Sequence, residues 1–66
     1  MIAFQVSDMT SHRSAGAVTK AVKEVDHRAL VRVDMATFTV EIEECSANAR
    51  ELREAIEQAG YSPIAA

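Results

Sequence analysis

The sequence predicts an α+β fold in which two helices pack on one face of a four-stranded antiparallel sheet, in the order βαββαβ. Two observations support this prediction. Short segments with alternating apolar residues are separated by two longer segments whose apolar residues recur at helical spacing. In addition, the two central alternating segments are joined by a link short enough for a hairpin. With 66 residues, we expect a single domain over residues 1–66.

The first half of the chain predicts a strand, a loop and a helix. The strand is Ile2–Val6, where apolar side chains at positions 2, 4 and 6 alternate with Ala3 and Gln5. The helix is predicted from about His12 to Val25. Its buried face is expected to consist of Ala17, Val18, Ala21, Val22 and Val25.

The middle of the chain predicts a β-hairpin. Its strands are Leu30–Asp34 and residues 38–43, both with alternating apolar side chains. Pairing Val33 with Phe38 keeps the apolar residues of the two strands on one face. This agreement supports a hairpin although the link contains no glycine.

A second helix and a short strand close the chain. Ser46 is the predicted N-cap of a helix that extends to about Ala59, and Gly60 is predicted to end it in a left-handed conformation. Residues 62–64 form a short edge strand, where Pro63 is tolerated because an edge residue needs no paired N–H. This order of elements is the ferredoxin-like arrangement, which by itself implies no function.

Composition narrows the function classes. The net charge is −3, the seven Lys and Arg residues are scattered, and there is no Trp, so nucleic-acid binding is not expected. No apolar segment approaches the roughly 18 residues of a membrane span, and the N-terminus lacks the features of a secretion signal. We therefore expect a soluble, cytoplasmic protein or an excised domain, without membrane insertion.

The loop between the first strand and the first helix carries the candidate site. Residues 8–16 read DMTSHRSAG, with two serines three positions apart. A strand-to-helix loop places unpaired backbone N–H groups and the positive end of a helix beside such side chains. The two serines are therefore expected beside these N–H groups and the helix end.

This loop and most of the chain resemble the heavy-metal-associated domain family, which includes bacterial copper chaperones and the N-terminal domains of copper P-type ATPases. Residues 9–14, MTSxxS, resemble the family's Met-x-Cys-x-x-Cys loop with serine at both cysteine positions. The resemblance continues through AVxxAV at 17–22, VxVD at 31–34, LxxAI at 52–56 and AGYxP at 59–63. It implies a ferredoxin-like domain that carries Cu(I) or another soft metal ion and passes it to a partner.

By this resemblance, Ser11 and Ser14 occupy the positions of the family's metal ligands. Two thiolates at this spacing suit a soft ion, whereas serine hydroxyls are hard and neutral. With serine at both positions, we therefore expect the protein to bind no metal or other cofactor. With cysteine at both, we would expect it to bind Cu(I) or another soft ion. Three explanations stay open: an engineered replacement, natural loss in a degenerate paralogue, and a loop in which Ser11 serves as an N-cap by accepting an N–H near Ser14.

Three further residues are assigned to support of the loop. By resemblance, Met9 packs into the core rather than acting as a thioether ligand, and Tyr61 lies beside the site. His12 has no second strong ligand at metal spacing, so it is interpreted as an exposed histidine. His27 and Cys45 are expected at the opposite end of the molecule, Cys45 as a small apolar residue, so neither is a substitute ligand.

Catalysis is not expected. An acylphosphatase-like site would need an arginine and an asparagine together, and Arg13 and Asn48 are predicted at opposite ends of the molecule. A nucleophilic Ser11 or Ser14 would need a general base, and the adjacent His12 has no evident orienting acid beyond Asp8. The domain is therefore not expected to be an enzyme.

The resemblance implies a partner instead. This is a metal-transporting P-type ATPase or another heavy-metal-associated domain, approached by a monomer. Charge is expected to guide the encounter, with basic residues on the first helix and acidic residues on the second: Arg13, Lys20 and Lys23, and Glu51, Glu54 and Glu57. The alternative function is a metal-free interaction module that keeps the docking surface.

Overall fold

Four strands form one antiparallel sheet, and two helices pack against it. The computed structural model describes residues 2–43 and 46–66. The elements are β1 Ile2–Val6, α1 His12–Val25, β2 Leu30–Asp34, β3 Thr39–Glu43, α2 Ala49–Gln58 and β4 Pro63–Ala65. The strand order is β2-β3-β1-β4, and all neighbours are antiparallel. The predicted ferredoxin-like fold is therefore confirmed.

The core lies between the sheet and the helices. Alternating strand residues, the inward residues of each helix and two loop residues supply it: Phe4, Val6, Met9, Val18, Val22, Ala29, Val40, Ile42, Leu52 and Ile56 are buried. No polar or charged side chain in the described part of the chain is buried. Stability of the described domain therefore comes mainly from apolar surface removed from water, worth roughly 25 cal/mol per Å².

Val25 departs from the predicted helix face. It was expected to be buried, but it is 38% exposed at the last residue of α1. There it lines an open groove of about 330 Å³ between the two helices, together with Ala21, Ala55 and Ala59. The helical pattern continues one turn beyond the place where the core ends.

The predicted hairpin register is wrong by two residues. Val33 pairs with Val40 rather than with Phe38, so β3 begins at Thr39 and residues 35–38 form the turn. The Asp34 carboxylate accepts the Ala36 N–H at 2.9 Å, and Phe38 has a left-handed φ of 54°. Because the shift is even, four of the predicted side chains still face the core, Val31, Val33, Val40 and Ile42, whereas Phe38 lies in the turn.

The predicted N-cap of the second helix is also wrong. Asn48, not Ser46, caps α2: its side chain accepts the Glu51 N–H at 2.9 Å, and the Glu51 carboxylate accepts the Asn48 N–H at 3.5 Å. This capping box satisfies two donors at once, which a serine at position 46 could not do. Ser46 instead donates its backbone N–H and its hydroxyl to Asp26, at 2.8 and 2.9 Å.

The end of α2 agrees with the prediction. Ala59 is the C-cap and Gly60 has a φ of 99°, the left-handed conformation that favours glycine. Within the described ranges, neither helix is long and apolar enough to cross a bilayer. The prediction for Cys45 concerns a residue outside the described residues.

Candidate functional site

Three connections meet at one end of the sheet, which we call the site pole. They are residues 7–11 after β1, the hairpin turn 35–38, and residues 59–62 between α2 and β4. The Val6 N–H donates to the Phe38 carbonyl at 2.7 Å, which joins the first two connections. Phe38, whose carbonyl accepts this hydrogen bond, has a left-handed backbone.

The loop after β1 turns sharply and inserts one side chain into the core. The Met9 N–H donates to the Val6 carbonyl at 3.1 Å, which closes the turn. The Met9 side chain is fully buried and belongs to the core cluster. A thioether in this position anchors the loop and is not presented to a ligand at the surface.

Ser11 and Ser14 lie together at the start of α1. Ser11 has the extended backbone of an N-cap, and its hydroxyl oxygen accepts the Ser14 N–H at 3.2 Å. The two Oγ atoms are 3.1 Å apart. Side chains at these two positions therefore converge on one point just outside the helix N-terminus.

The chemistry of this pair does not fit a soft metal ion. Both oxygens are neutral and hard, and the Ser11 oxygen is engaged in capping the helix. The helix N-terminus favours anionic ligands such as thiolates, and a neutral hydroxyl gains little from it. The arrangement supports a stable helix start.

His12 is exposed at the first residue of α1. Among residues 2–43 and 46–66, no three His, Cys, Asp or Glu side chains lie close enough together to hold a metal ion. Such clusters are what a harder or borderline divalent ion needs. In that part of the chain, His12 therefore has no partners for such an ion.

Tyr61 lies at the site pole, next to the left-handed Gly60. Its ring is half-buried against the core cluster, and its N–H donates to the Ile56 carbonyl at 3.3 Å. The following residue, Ser62, donates its N–H to the Asp8 carboxylate at 3.3 Å. The connection that carries Tyr61 is thus bonded to the loop between β1 and α1.

Asp8 was missed as a site residue from sequence. Its partner is 54 positions away in the chain, so no local pattern could have indicated the contact. A weak signal was present, because Asp side chains in turns commonly accept backbone N–H groups. The sequence gives no indication that the donor comes from the other end of the chain.

Two other sequence candidates, His27 and Asn48, lie away from the site pole. His27 follows the end of α1, at the opposite end of the molecule. Arg13 lies at the start of α1, at the site pole. Asn48 caps the start of α2, which lies at the opposite end because β3, the strand before it, runs antiparallel to β1. The pair that a phosphate-cleaving site would need is not brought together.

The expected charge division is weaker than predicted on the α2 side. Glu54 pairs with Arg50 at 3.1 Å, and Glu51 belongs to the capping box. On α1, by contrast, three exposed cations form no ion pair with any residue that the structure describes: Arg13, Lys20 and Lys23. Of these cations only Arg13 lies near the loop between β1 and α1, because Lys23 is in the last turn of α1.

Comparison with known proteins agrees with this geometry. The sequence profile described as "Heavy-metal-associated domain" matches residues 3–62. The crystal structure of a gold binding protein has 33% identity and a TM-score of 0.93, with 100% of each chain covered. A trimeric form of the copper chaperone Atx1 from Synechocystis PCC6803 has 36% identity and a TM-score of 0.91, covering 96% of this chain and 98% of that one.

A more distant structure shares the fold. The N-terminal domain of PacS from Synechocystis PCC6803 has 21% identity and a TM-score of 0.83, covering 98% of this chain and 94% of that one. A comparison with curated proteins gave no match.

Proposed function

Because the chain belongs to the heavy-metal-associated domain family, we propose that it is a non-catalytic, metallochaperone-type domain in which serines stand at the two ligand positions. As written, it carries no metal. With cysteines at positions 11 and 14, its cargo would be Cu(I) or another soft ion. Residues 1–66 act as one monomeric domain, which by analogy with the family is cytoplasmic.

One observation carries the proposal: the Oγ atoms of Ser11 and Ser14 lie 3.1 Å apart on the loop between β1 and α1. Two side chains that converge in this way can share one ion of low coordination number. The related structures of a copper chaperone and a gold binding protein support a soft metal as the cargo that suits such a pair. Serine at both positions removes the soft ligand atoms and the negative charge together.

The test is a competition for Cu(I) between the protein and a colorimetric chelator. The chain as written should lose the ion to the chelator, because two neutral hydroxyls cannot replace two thiolates. The Ser11→Cys/Ser14→Cys double variant is the matched positive control and should retain one equivalent. Retention of one equivalent by the unmodified chain would contradict the proposal.

A second candidate function is a metal-free interaction module. It is favoured by three exposed cations on α1 that pair with no residue the structure describes: Arg13, Lys20 and Lys23. Their partner would be a metal-transporting P-type ATPase or another heavy-metal-associated domain with an acidic surface. Charges of this kind steer association more than they hold it.

A further inference from the structure

We infer that Asp8 is a positioning residue, which fastens the loop carrying Ser11 and Ser14 to the connection carrying Tyr61. Its Oδ1 atom accepts the Ser62 N–H at 3.3 Å, across 54 positions of sequence. Asp8 precedes the buried Met9, and Ser62 follows Tyr61. One hydrogen bond therefore joins the two segments from which a site at this pole is built.

The sheet leaves this donor available. β4 is an edge strand that begins at Pro63, which is paired with Val6 of β1. The Val6 N–H donates to the Phe38 carbonyl on the opposite side of β1, so the Val6–Pro63 pair adds no donor to the β1–β4 ladder at its end nearest the site pole. The preceding N–H, that of Ser62, lies just outside the ladder, and the Asp8 side chain accepts it.

Two anchors then fix the loop on either side of the same peptide bond. The Met9 N–H closes the turn to Val6 at 3.1 Å, and the Met9 side chain lies in the core. The Asp8 carboxylate bonds the turn to Ser62, in the connection between α2 and β4. Loss of this second anchor would free residues 10 and 11 to move relative to Tyr61 while Met9 stays buried.

If two metal ligands stood at positions 11 and 14, such a displacement would change the distance and angle between their ligand atoms. Groups that orient metal ligands without touching the metal commonly affect affinity by about 10-fold to 100-fold. This part of the inference rests on the proposed function. The bond between the loop and the Tyr61 connection does not depend on it.

The first experiment is metal-free and uses Asp8→Ala, Asp8→Asn and Asp34→Ala. Asp34 is the matched control, because it also lies at the site pole but accepts a local N–H, that of Ala36. Asp8→Ala should shift the Ser62 amide signal and the Tyr61 ring signals in NMR spectra. Asp8→Asn keeps an acceptor oxygen and should leave them nearly unchanged, as should Asp34→Ala.

The Asp8 side chain is exposed, so its truncation leaves the core intact. Tyr61 is the sole tyrosine and the sequence has no tryptophan, so near-ultraviolet circular dichroism and tyrosine fluorescence report its position as well. Unchanged Ser62 and Tyr61 signals in Asp8→Ala would overturn the inference. Equal shifts in Asp8→Asn would also overturn it, because they would trace to the lost charge rather than the lost acceptor.

The second experiment places the same changes in the Ser11→Cys/Ser14→Cys background and measures Cu(I) affinity. Asp8→Ala should lower the affinity about tenfold, while Asp8→Asn and Asp34→Ala should keep it. An equal loss in Asp34→Ala would overturn a specific role for Asp8. If the parent double variant binds no Cu(I), the proposed function fails, and the metal-free experiment alone decides the role of Asp8.

Discussion

The carboxylate of Asp26 binds Ser46 twice, accepting its backbone N–H at 2.8 Å and its hydroxyl at 2.9 Å. Asp26 is the C-cap residue of α1, and Ser46 lies shortly before α2. This contact therefore ties the two helices together at the end of the molecule opposite the site pole. It also holds the connection from β3 to α2.

Removal of this contact should destabilise the domain without affecting the site pole. Hydrogen bonds to a charged group contribute about 1.5–3 kcal/mol, and partial exposure places Asp26→Ala near the lower value. Urea unfolding measures the change in free energy, with Asp34→Ala as a control for loss of an aspartate that bonds locally. Equal unfolding midpoints for Asp26→Ala and the unmodified chain would contradict a stabilising role.

Single cysteine replacements should bind Cu(I) much more weakly than the double replacement. In either Ser11→Cys or Ser14→Cys, one thiolate faces a neutral hydroxyl about 3 Å away, so the ion is half-coordinated. Chelator competition with the three variants in parallel gives the ranking. If the double variant binds no better than the single ones, the two positions do not form a ligand pair.

Ser11 should also contribute to stability as the N-cap of α1. Ser11→Ala removes the acceptor for the Ser14 N–H and should cost about 1 kcal/mol. Ser11→Asp keeps an acceptor and should cost little, while Ser14→Ala removes a side chain that does not cap the helix. Urea unfolding distinguishes them. A Ser14→Ala variant as unstable as Ser11→Ala would argue against the capping role.

The two glycines should respond oppositely to alanine. Gly60 has a φ of 99°, so Gly60→Ala should destabilise by about 1–2 kcal/mol. Gly16 lies inside α1, and a Cβ there would meet nothing within 4 Å, so Gly16→Ala should stabilise by about 0.5–1 kcal/mol. Thermal unfolding of both variants measures whether each substitution raises or lowers the stability. A destabilising Gly16→Ala would show that the helix backbone at this position is strained.

Docking should be weak and sensitive to salt. Exposed ion pairs contribute about 0–1 kcal/mol each and are screened over about 10 Å at 0.1 M salt. An NMR titration with an acidic ATPase domain, with and without Cu(I) and at two salt concentrations, should shift signals of residues 11–23 without needing metal. Glu57→Gln on α2 is a matched control that leaves the cations of α1 in place. Shifts that require Cu(I) would contradict the claim that the serines carry none.

The periodic patterns predicted the fold because burial controls them. Val18, Val22, Leu52 and Ile56 face the core where helical spacing places them. The turn at residues 35–38 was predicted less well, because the left-handed Phe38 has a backbone that its side chain disfavours by roughly 1–2 kcal/mol. Tertiary context, including the bond from Val6 to its carbonyl, overrides that local preference.

The start of α2 shows how two local signals compete. Ser46 and Asn48 are both residues that favour N-caps, and the glutamate three positions after Asn48 distinguishes them. The residue three positions after Ser46 is Ala49, which cannot complete such a box. Ser46 instead bonds to Asp26, a contact across 20 positions that no local pattern predicts.

The site was predicted by resemblance rather than by spacing alone. A pair of serines near a helix start is an ordinary capping pattern, and nothing in their chemistry indicates a metal. The loop around them, with Met9 before and Tyr61 at the far end of the chain, gave the assignment. The Asp8 contact with Ser62 required the folded structure, because its two partners meet only when β4 pairs with β1.

The residue that anchors the loop in the core, Met9, is distinct from the residues that the loop exposes at the surface. Met9 is fully enclosed, whereas Ser11 is exposed and Ser14 only partly covered. Exchanging the atoms at positions 11 and 14 therefore changes little of the packing on which folding depends. On the proposed function, metal ligands at positions 11 and 14 can therefore be lost and regained while the fold is kept.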